Sequence, residues 1–531
     1  MHGAFQHIMN IRSFILLAGI LVVNNLNAQN DILDHKDKIL IQKIHTVNSP
    51  SRETNLSISP DGKYMYFLSD RGGQIWSGYA GTFNGMPRYD GDIWYSKNVG
   101  GAWQKPVCLG MGVNTSSGED EPMISPDGQF VVYQSWKYNW KETGGPYYRA
   151  ELKDGHFTNS KGLGGGINSF LLTNFIRSGG TYATDGAAMS PDGKTFLLCC
   201  GPNYDGNLDI YISRKVNGVW TYMKKLPIST PGDERSVFIA GDGKTVYFGS
   251  DGYKGYGGLD VYKTTLNEDG TCGKVVNIGA PFNTSKDDYG FITTASGNES
   301  YFVREGDIYF ANTAEADPNL KPEISVIISG TVKNQHGKAV QLYLELADGS
   351  TQEIIANSKS DSQSGEFLFS TSDLSGKYVI RDELHRKIDT SFSIKISKGV
   401  VKYHVDIVIN ETNITTSEHT KSVVVNFEHD RDILDEEDRK TLDEIVELTH
   451  SSISYDITIV GHTDSHGSVE YNKKLGLERA TSMKNYLVSK GLDASKIKVS
   501  SFGETKLLEE DKHRAAAERN RRAELIITYE N

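Results

Sequence analysis

Apolar residues recur along most of the chain in short alternating runs, and the runs repeat. The turns Ser59-Pro60-Asp61-Gly62, Ser125-Pro126-Asp127-Gly128 and Ser190-Pro191-Asp192-Gly193 have degenerate counterparts in Ala240-Gly241-Asp242-Gly243 and Thr294-Ala295-Ser296-Gly297. Ser-Pro-Asp-Gly suits a type I turn, with Pro setting φ at the second position and Gly at the fourth. An apolar β run follows the turn, as in Tyr64-Met65-Tyr66-Phe67, Phe130-Val131-Val132-Tyr133 and Val246-Tyr247-Phe248, and then a strand of the type Asp92-Ile93-Trp94-Tyr95, Asp209-Ile210-Tyr211, Asp260-Val261-Tyr262 or Asp307-Ile308-Tyr309. A fourth run recurs as Trp103 to Thr115, Phe157 to Ser169, Trp220 to Thr230 and Val275 to Thr284. Four strands per repeat is the pattern of a propeller blade. Five turns but four such fourth runs leave one blade short, and Ile41 to Ser49 reads as the missing piece. A strand from the N-terminal side completing the last blade closes the ring and removes its edges. Residues 36–316 are therefore expected to form an all-β propeller of five blades with four strands each.

The pattern changes after the repeats. Ile327 to Val332, Ala339 to Leu344, Gly365 to Phe369 and Lys377 to Ile380 are short alternating strands separated by turns, which predicts a small β-sandwich over 323–410. Glu411 to Lys421, rich in Thr, Ser and Asn, reads as a linker. From 422 to 531 strand-like and helix-like patterns alternate, which predicts an α/β domain. The repeats resemble the PD40, or WD40-like, repeats of bacterial periplasmic propellers, and the sandwich resembles the carboxypeptidase-regulatory-like domain, usually a spacer or docking module.

Candidate chemistry concentrates in the last domain. Tyr455 to Val460 is a β run ending at Gly461, so His462, Thr463 and Asp464 fall on the loop leaving a strand's carboxyl end, a position favoured by binding residues. Ser468 reads as an N-cap, Leu475, Met483 and Leu487 mark a helical face, and Gly491 is placed to end the helix. Arg479 then lies mid-helix. A loop acid and a helix guanidinium flanking one cleft suit a zwitterion: Asp464 accepts from an ammonium and Arg479 grips a carboxylate.

Gly461-His462-Thr463-Asp464, Tyr471-Asn472, Leu475, Arg479-Ala480 and Asn520-Arg521-Arg522 together resemble the peptidoglycan-binding domain of the OmpA family. The resemblance implies that Asp464 and Arg479 hold the free amino and carboxyl ends of the diaminopimelate in a peptidoglycan stem peptide. It implies that Thr463, Asn472 and Leu475 shape the pocket and that Asn520 and Arg522 belong to the closing signature. Val423 to Asp430 matches the opening strand, which makes Phe427 and Asp430 candidates for the rim. Gly476 departs from the family's Ser and costs roughly 1 kcal/mol against Ala in a helix interior, and the loop after Gly503-Glu504 lacks the usual Pro.

Each assignment has a plainer counterpart. A loop Asp and a helix Arg are most often a surface ion pair of little weight, but four further matched positions favour binding. His462 and His466 around Asp464 offer the alternative of a metal-dependent enzyme or cell-wall hydrolase, although no distant third ligand set is evident. Arg521 and Arg522 offer a basic patch, yet they open the strand Leu525-Ile526-Ile527 and fit a solvated or structural role better.

At 531 residues the chain exceeds one core. Its 54 Gly, 27 Tyr and 20 Phe favour short strands and turns, and a net charge of −12 argues against a nucleic-acid partner. Arg12 followed by the apolar run Ser13 to Val23, with Ala28 ahead of Gln29, reads as a signal peptide over 1–28. No Cys follows that run, so a lipoprotein anchor is not expected, and no other segment is long enough for a membrane-spanning helix. Cys108, Cys199, Cys200 and Cys272 are too few for a disulfide scaffold.

In four of the five repeats a carboxylate stands at one equivalent point, Glu53, Glu119, Glu234 and Asp288, with Thr184 in the fifth. A ring of acids invites a cation or a basic peptide, whereas loop capping is the commoner use. Neither a Gly-x-Ser-x-Gly elbow nor a His-Glu-x-x-His helix occurs. The expected function is a non-enzymatic adaptor of the periplasm, associated with the cell wall and outer membrane. It needs no cofactor, binds peptidoglycan diaminopimelate through its last domain and presents the propeller to outer-membrane or periplasmic envelope proteins. The domain order resembles the cell-wall anchor of the type IX secretion and gliding machinery of Bacteroidetes. A further alternative makes the propeller a glycan or peptide receptor.

Overall fold

A computed structural model describes residues 31–530 except 36–37, 73, 75–77, 84–85, 136–139, 154, 181, 204–205, 217, 324, 383–388, 396–400, 410–417, 451, 453 and 511–513. The expected signal peptide and most of the expected linker lie outside the described residues. Two compact units emerge: Met1–Val332 with Ala339–Ile380 and Thr390–Ile407, and Lys333–Lys338 with Arg381–Asp389 and Val408–Asn531.

In the first unit each of the five turns joins the first two strands of an antiparallel sheet. The first strands are Glu53–Ile58, Glu119–Ile124, Ala183–Met189, Glu234–Ile239 and Tyr289–Thr293. They neighbour one another in that order, and the fifth also neighbours the first. Asn55, Glu121, Gly186, Ser236 and Gly290, one from each of these strands, line a single cavity of about 20 Å³. All five have positive φ, and each sits at a register shift between the first and second strands of its sheet. That conformation costs a non-glycine residue roughly 1–2 kcal/mol, so packing around the cavity imposes it. The fifth sheet runs Tyr289–Thr293, Glu299–Arg304, Asp307–Asn312 and then Leu40–Lys43, which pairs antiparallel with Asp307–Asn312.

The equivalent carboxylates are capping groups. Glu53 accepts from Ser49 and Ser69, Glu119 from Thr115 and Ser135, Glu234 from Thr230 and Ser250, and Asp288 from Thr284 and Arg304. Beside three of these loops an Asn brackets the backbone of the neighbouring sheet's third strand. Asn114 accepts from Ile93 N at 2.8 Å and donates to Ile93 O at 3.0 Å, and Asn283 does the same with Val261 at 2.8 and 2.9 Å. Asn48 repeats the bracket on Ile308, 260 residues away, at 2.7 and 2.8 Å.

The fourth runs are shorter than their sequence suggests. Three of them supply only two-residue strands, among them Val107–Cys108, Lys224–Lys225 and Val276–Asn277, because the segment turns away into the capped loop. The run expected from Phe157 to Ser169 is a strand only over His156–Gly162, and a helix spans Gly165–Arg177. Its buried Ile167, Phe170 and Leu171, spaced for one helical face, pack with Phe196 and Trp220. The four cysteines are free thiols, and Cys199 and Cys200 pack into different apolar clusters.

Later residues of the same unit build two more four-stranded sheets. One contains Glu366–Thr371, Val326–Asn334 and Val401–His404, and the other contains Ile354–Lys359, Tyr343–Asp348, Lys377–Asp382 and Asp389–Ser393. They meet the turn end of the repeats: Lys359 N donates to Asp127 Oδ2 at 2.7 Å, Ser370 Oγ donates to Gly241 O at 2.8 Å, and Ile327 and Leu368 pack on Ala295.

The second unit carries the α/β pattern: β1 Glu418–Asn426, α1 Glu436–His450, β2 Ser454–His462, α2 Val469–Ser489, β3 Ile497–Gly503, α3 Arg514–Asn520 and β4 Arg522–Glu530. Residues 418–421, expected in the linker, belong to β1, where Thr420 and Lys421 continue the pairing with β4. The sheet order is β1-β4-β2-β3, with β2 and β3 parallel and the other pairs antiparallel. Ile457 and Ile459 of β2, Leu442 and Ile445 of α1, and Met483 and Leu487 of α2 share one core.

Candidate functional site

The site grows from the end of β2. Thr463 N donates to Gly503 O at 3.0 Å, which ties the outgoing loop to the end of β3. Asp464 follows and is 3% exposed. Ser468 accepts from Tyr471 N at 3.2 Å and caps α2, and Gly491, with φ of 104°, lies just past the helix end. One turn into α2, Asn472 Nδ2 donates to Asp464 O at 3.4 Å and to the Glu504 carboxylate. Leu475 and Arg479 continue the same buried helical face.

Glycine sets how closely α2 meets β2. A Cβ on Gly461 would stand 1.7 Å from Gly476 O, and one on Gly476 would stand 2.4 Å from Ser501 Oγ. The family's Ser is thus replaced where helix and strand touch, and the propensity cost read from the sequence is offset by this approach.

Arg479 is 0% exposed. Its Nη1 donates to His462 O at 2.8 Å, its Nε to Arg431 O at 2.9 Å and its Nη2 to Glu428 O at 3.2 Å, and its guanidinium lies 5.4 Å from the Phe427 ring centre. Burial lowers its pKa to about 10, opposed by the negative charge of Asp464 and reinforced by the positive charge of Arg521. Arg479, read from the sequence as the group that grips a ligand carboxylate, clamps the segment after β1 to the loop after β2 and is sealed from solvent.

The guanidinium in contact with Asp464 belongs to Arg521. Its Nη1 lies 3.1 Å from Asp464 Oδ2, and its Nε donates to Phe427 O at 3.2 Å. Arg522 faces elsewhere and pairs with Glu524 at 2.7 Å. Asn520 serves the neighbouring loop, accepting from Leu508 N and donating to Glu509 O, both at 2.7 Å. Sequence reasoning chose Arg522 and missed Arg521, although adjacent residues at a strand's start point to opposite faces and only one of the pair can meet the loop.

Asp430 is exposed at the rim, with φ of 55°, and accepts from the Tyr471 hydroxyl. The Thr463 hydroxyl is buried and has no hydrogen-bond partner among the described residues. Two imidazoles approach Asp464 from outside: His466 Nδ1 at 3.4 Å from Oδ1, and His429 Nδ1 at 3.7 Å from Oδ2. His462 takes no part. Its buried ring lies 5.7 Å from that of Phe502, and burial, then the charge of Arg522, lowers its pKa. Among the described residues no group of three or more His, Cys, Asp or Glu side chains is arranged to hold a metal ion.

A buried carboxylate paired with a guanidinium at the carboxyl end of a strand, on a sheet packed with helices, defines an α/β module with a charged site. The chain belongs to the OmpA family, which residues 426–521 match. It is 38% identical over 101 residues to outer membrane protein A of Bordetella avium, covering 19% of this chain and 52% of that protein. It is 41% identical over 73 residues to the peptidoglycan-associated lipoprotein of Haemophilus influenzae, covering 14% and 46%. Against the peptidoglycan-associated lipoprotein of Pasteurella multocida the identity is 34% over 105 residues, covering 20% and 69%. The chain thus spans about half the length of the Bordetella and Haemophilus relatives. Among the described residues no helix is long and apolar enough to cross a membrane.

Proposed function

We propose that this protein is a non-catalytic adaptor of the periplasm, associated with the cell wall and outer membrane, that binds peptidoglycan through the diaminopimelate of its stem peptides. Asp464 accepts the ligand's ammonium, Arg521 meets its carboxylate at the surface, and Arg479 supplies positive charge from behind while holding the loops in place. Thr463, Asn472 and Leu475 shape the pocket, with Phe427 beneath it, Asp430 at its rim, and Asn520 and Arg522 fixing the closing segment. The observation that carries this reading is the buried Asp464 carboxylate facing Arg521 in a chain whose relatives include proteins named for association with peptidoglycan.

The five sheets are read as a five-bladed propeller of PD40-like repeats. Cyclic adjacency of their first strands, the shared axial cavity and the Asn48–Ile308 bracket support that reading. The two later sheets are read as a carboxypeptidase-regulatory-like sandwich. The repeats are read as the platform presented to an outer-membrane or periplasmic envelope protein. The domain order resembles that of the cell-wall anchor of type IX secretion and gliding, which supports a role in one of those pathways.

Calorimetric titration with meso-diaminopimelate tests the site. Asp464→Asn is expected to weaken binding at least about tenfold, the loss of one charge-assisted contact. Equal affinity of the variant and the natural chain would contradict the assignment.

A further inference from the structure

Asp464 is enclosed by protein on most sides. Arg521, at the start of β4, occupies Oδ2, and Arg479 of α2 adds positive charge from within. Among the acids nearby, Asp430 is engaged by the Tyr471 hydroxyl, Glu504 by Asn472 and Asp432 by Ser482. Asp464 Oδ1 accepts from His466 N at 3.1 Å, and two imidazoles approach the carboxylate as well, His429 from the segment after β1 and His466 from the loop after β2. Their side chains are 69% and 65% exposed, and their rings stand 6.2 Å apart and nearly perpendicular. The two imidazoles therefore frame the solvent side of the carboxylate, where a ligand's ammonium must arrive.

We propose that His429 and His466 make ligand retention pH-dependent: as imidazoliums they neutralise Asp464 from its solvent side and displace the ligand's ammonium, and as neutral rings they do not compete for it. Imidazole changes charge between about pH 5 and 8, whereas a diaminopimelate amine and carboxylate stay ionised across that range. Binding is strong on the alkaline side and weakens as pH falls. One exposed ion pair has little weight, but two closing on a single desolvated carboxylate compete with the ligand's own charge-assisted contact, worth about tenfold in affinity. The inference rests on the reading of Asp464 as the ammonium acceptor.

The test is co-sedimentation of the purified full chain with sacculi at pH 7.5 and 5.5, at constant ionic strength and with a chelator present. Half-maximal pelleting is expected to need about tenfold more sacculi at pH 5.5, and His429→Asn combined with His466→Asn is expected to abolish that difference while leaving pelleting at pH 7.5 unchanged. A pH difference that persists in the double variant, or a flat response in the natural chain, would overturn the proposal. Asp464→Asn at pH 7.5 separates the two claims: if it pellets like the natural chain, the site reading itself fails, whereas Asp464-dependent pelleting that ignores pH defeats the histidine proposal alone.

Discussion

At the scale of single residues, the site divides its labour between a guanidinium that holds the backbone and one that pairs with Asp464. Arg479 donates to three backbone carbonyls and touches no solvent. Arg479→Ala strands those carbonyls and leaves Asp464 with one fewer countercharge. It is expected to destabilise the second unit by about 3–5 kcal/mol, visible as a lowered denaturation midpoint; an unchanged midpoint would remove Arg479 from its clamping role. Arg521→Ala is expected to shift that midpoint much less and to cost binding instead. The sequence made Asp464 legible because its loop, its flanking Thr463 and the helix behind it follow a recognisable spacing. It did not separate Arg521 from Arg522, because which of two adjacent arginines faces a loop depends on where β4 begins, and nothing in the composition sets that boundary. The contribution of His429 was hidden for a related reason: it and His466 approach Asp464 from segments 37 positions apart in the numbering, brought together only when β1 and β2 pair with β4.

At the scale of elements, repetition of a turn carries more information than the strands it joins. The Ser-Pro-Asp-Gly turns marked the first two strands of each sheet because Pro and Gly leave the backbone few options, whereas the fourth strands dissolve into loops whose order comes from side-chain brackets. Asn48, Asn114 and Asn283 satisfy both backbone groups of an Ile or Val in a neighbouring sheet. Asn48→Ala leaves Ile308 N and O without those partners and is expected to cost about 1–3 kcal/mol. The cost should appear as faster hydrogen exchange along Leu40–Lys43 and Asp307–Asn312, and exchange unaltered there would show that the bracket adds nothing to the fifth sheet. The helix Gly165–Arg177 escaped notice because its apolar spacing overlaps the end of a strand-like run, so a period of two and a helical period compete over the same few residues. The carboxylates at equivalent points of the repeats were legible as a recurrence but not as caps, since their partners are a Ser or Thr four residues earlier and, across the sheet, a Ser or in one case Arg304.

At the scale of the whole molecule, the two units respond to pH through different groups. In the first unit Asp120 and Glu121 are both raised, chiefly by burial and for Glu121 next by the charge of Asp120, and burial pushes Glu234 up to about 7. These carboxyls keep protons in the folded state that the unfolded chain releases near pH 4. Their contribution to stability is complete below that value and is lost as pH rises through their raised folded-state values, about 7 for Glu234. All six tryptophans lie between Trp76 and Trp220, so tryptophan fluorescence follows the repeats alone. The melting temperature read that way is expected to fall between pH 5 and 8.5, less steeply in Glu121→Gln; equal slopes would exclude Glu121 as a source. The proposed function is carried by the second unit, where Asp464 and Arg521 meet. The most direct measurement is therefore retention of the full chain by purified sacculi at neutral pH with free meso-diaminopimelate as competitor. The account requires the chain to pellet without releasing muropeptides, to be displaced by diaminopimelate, and to stay in solution once Asp464 is changed to Asn; pelleting that neither the competitor nor that substitution alters would contradict it.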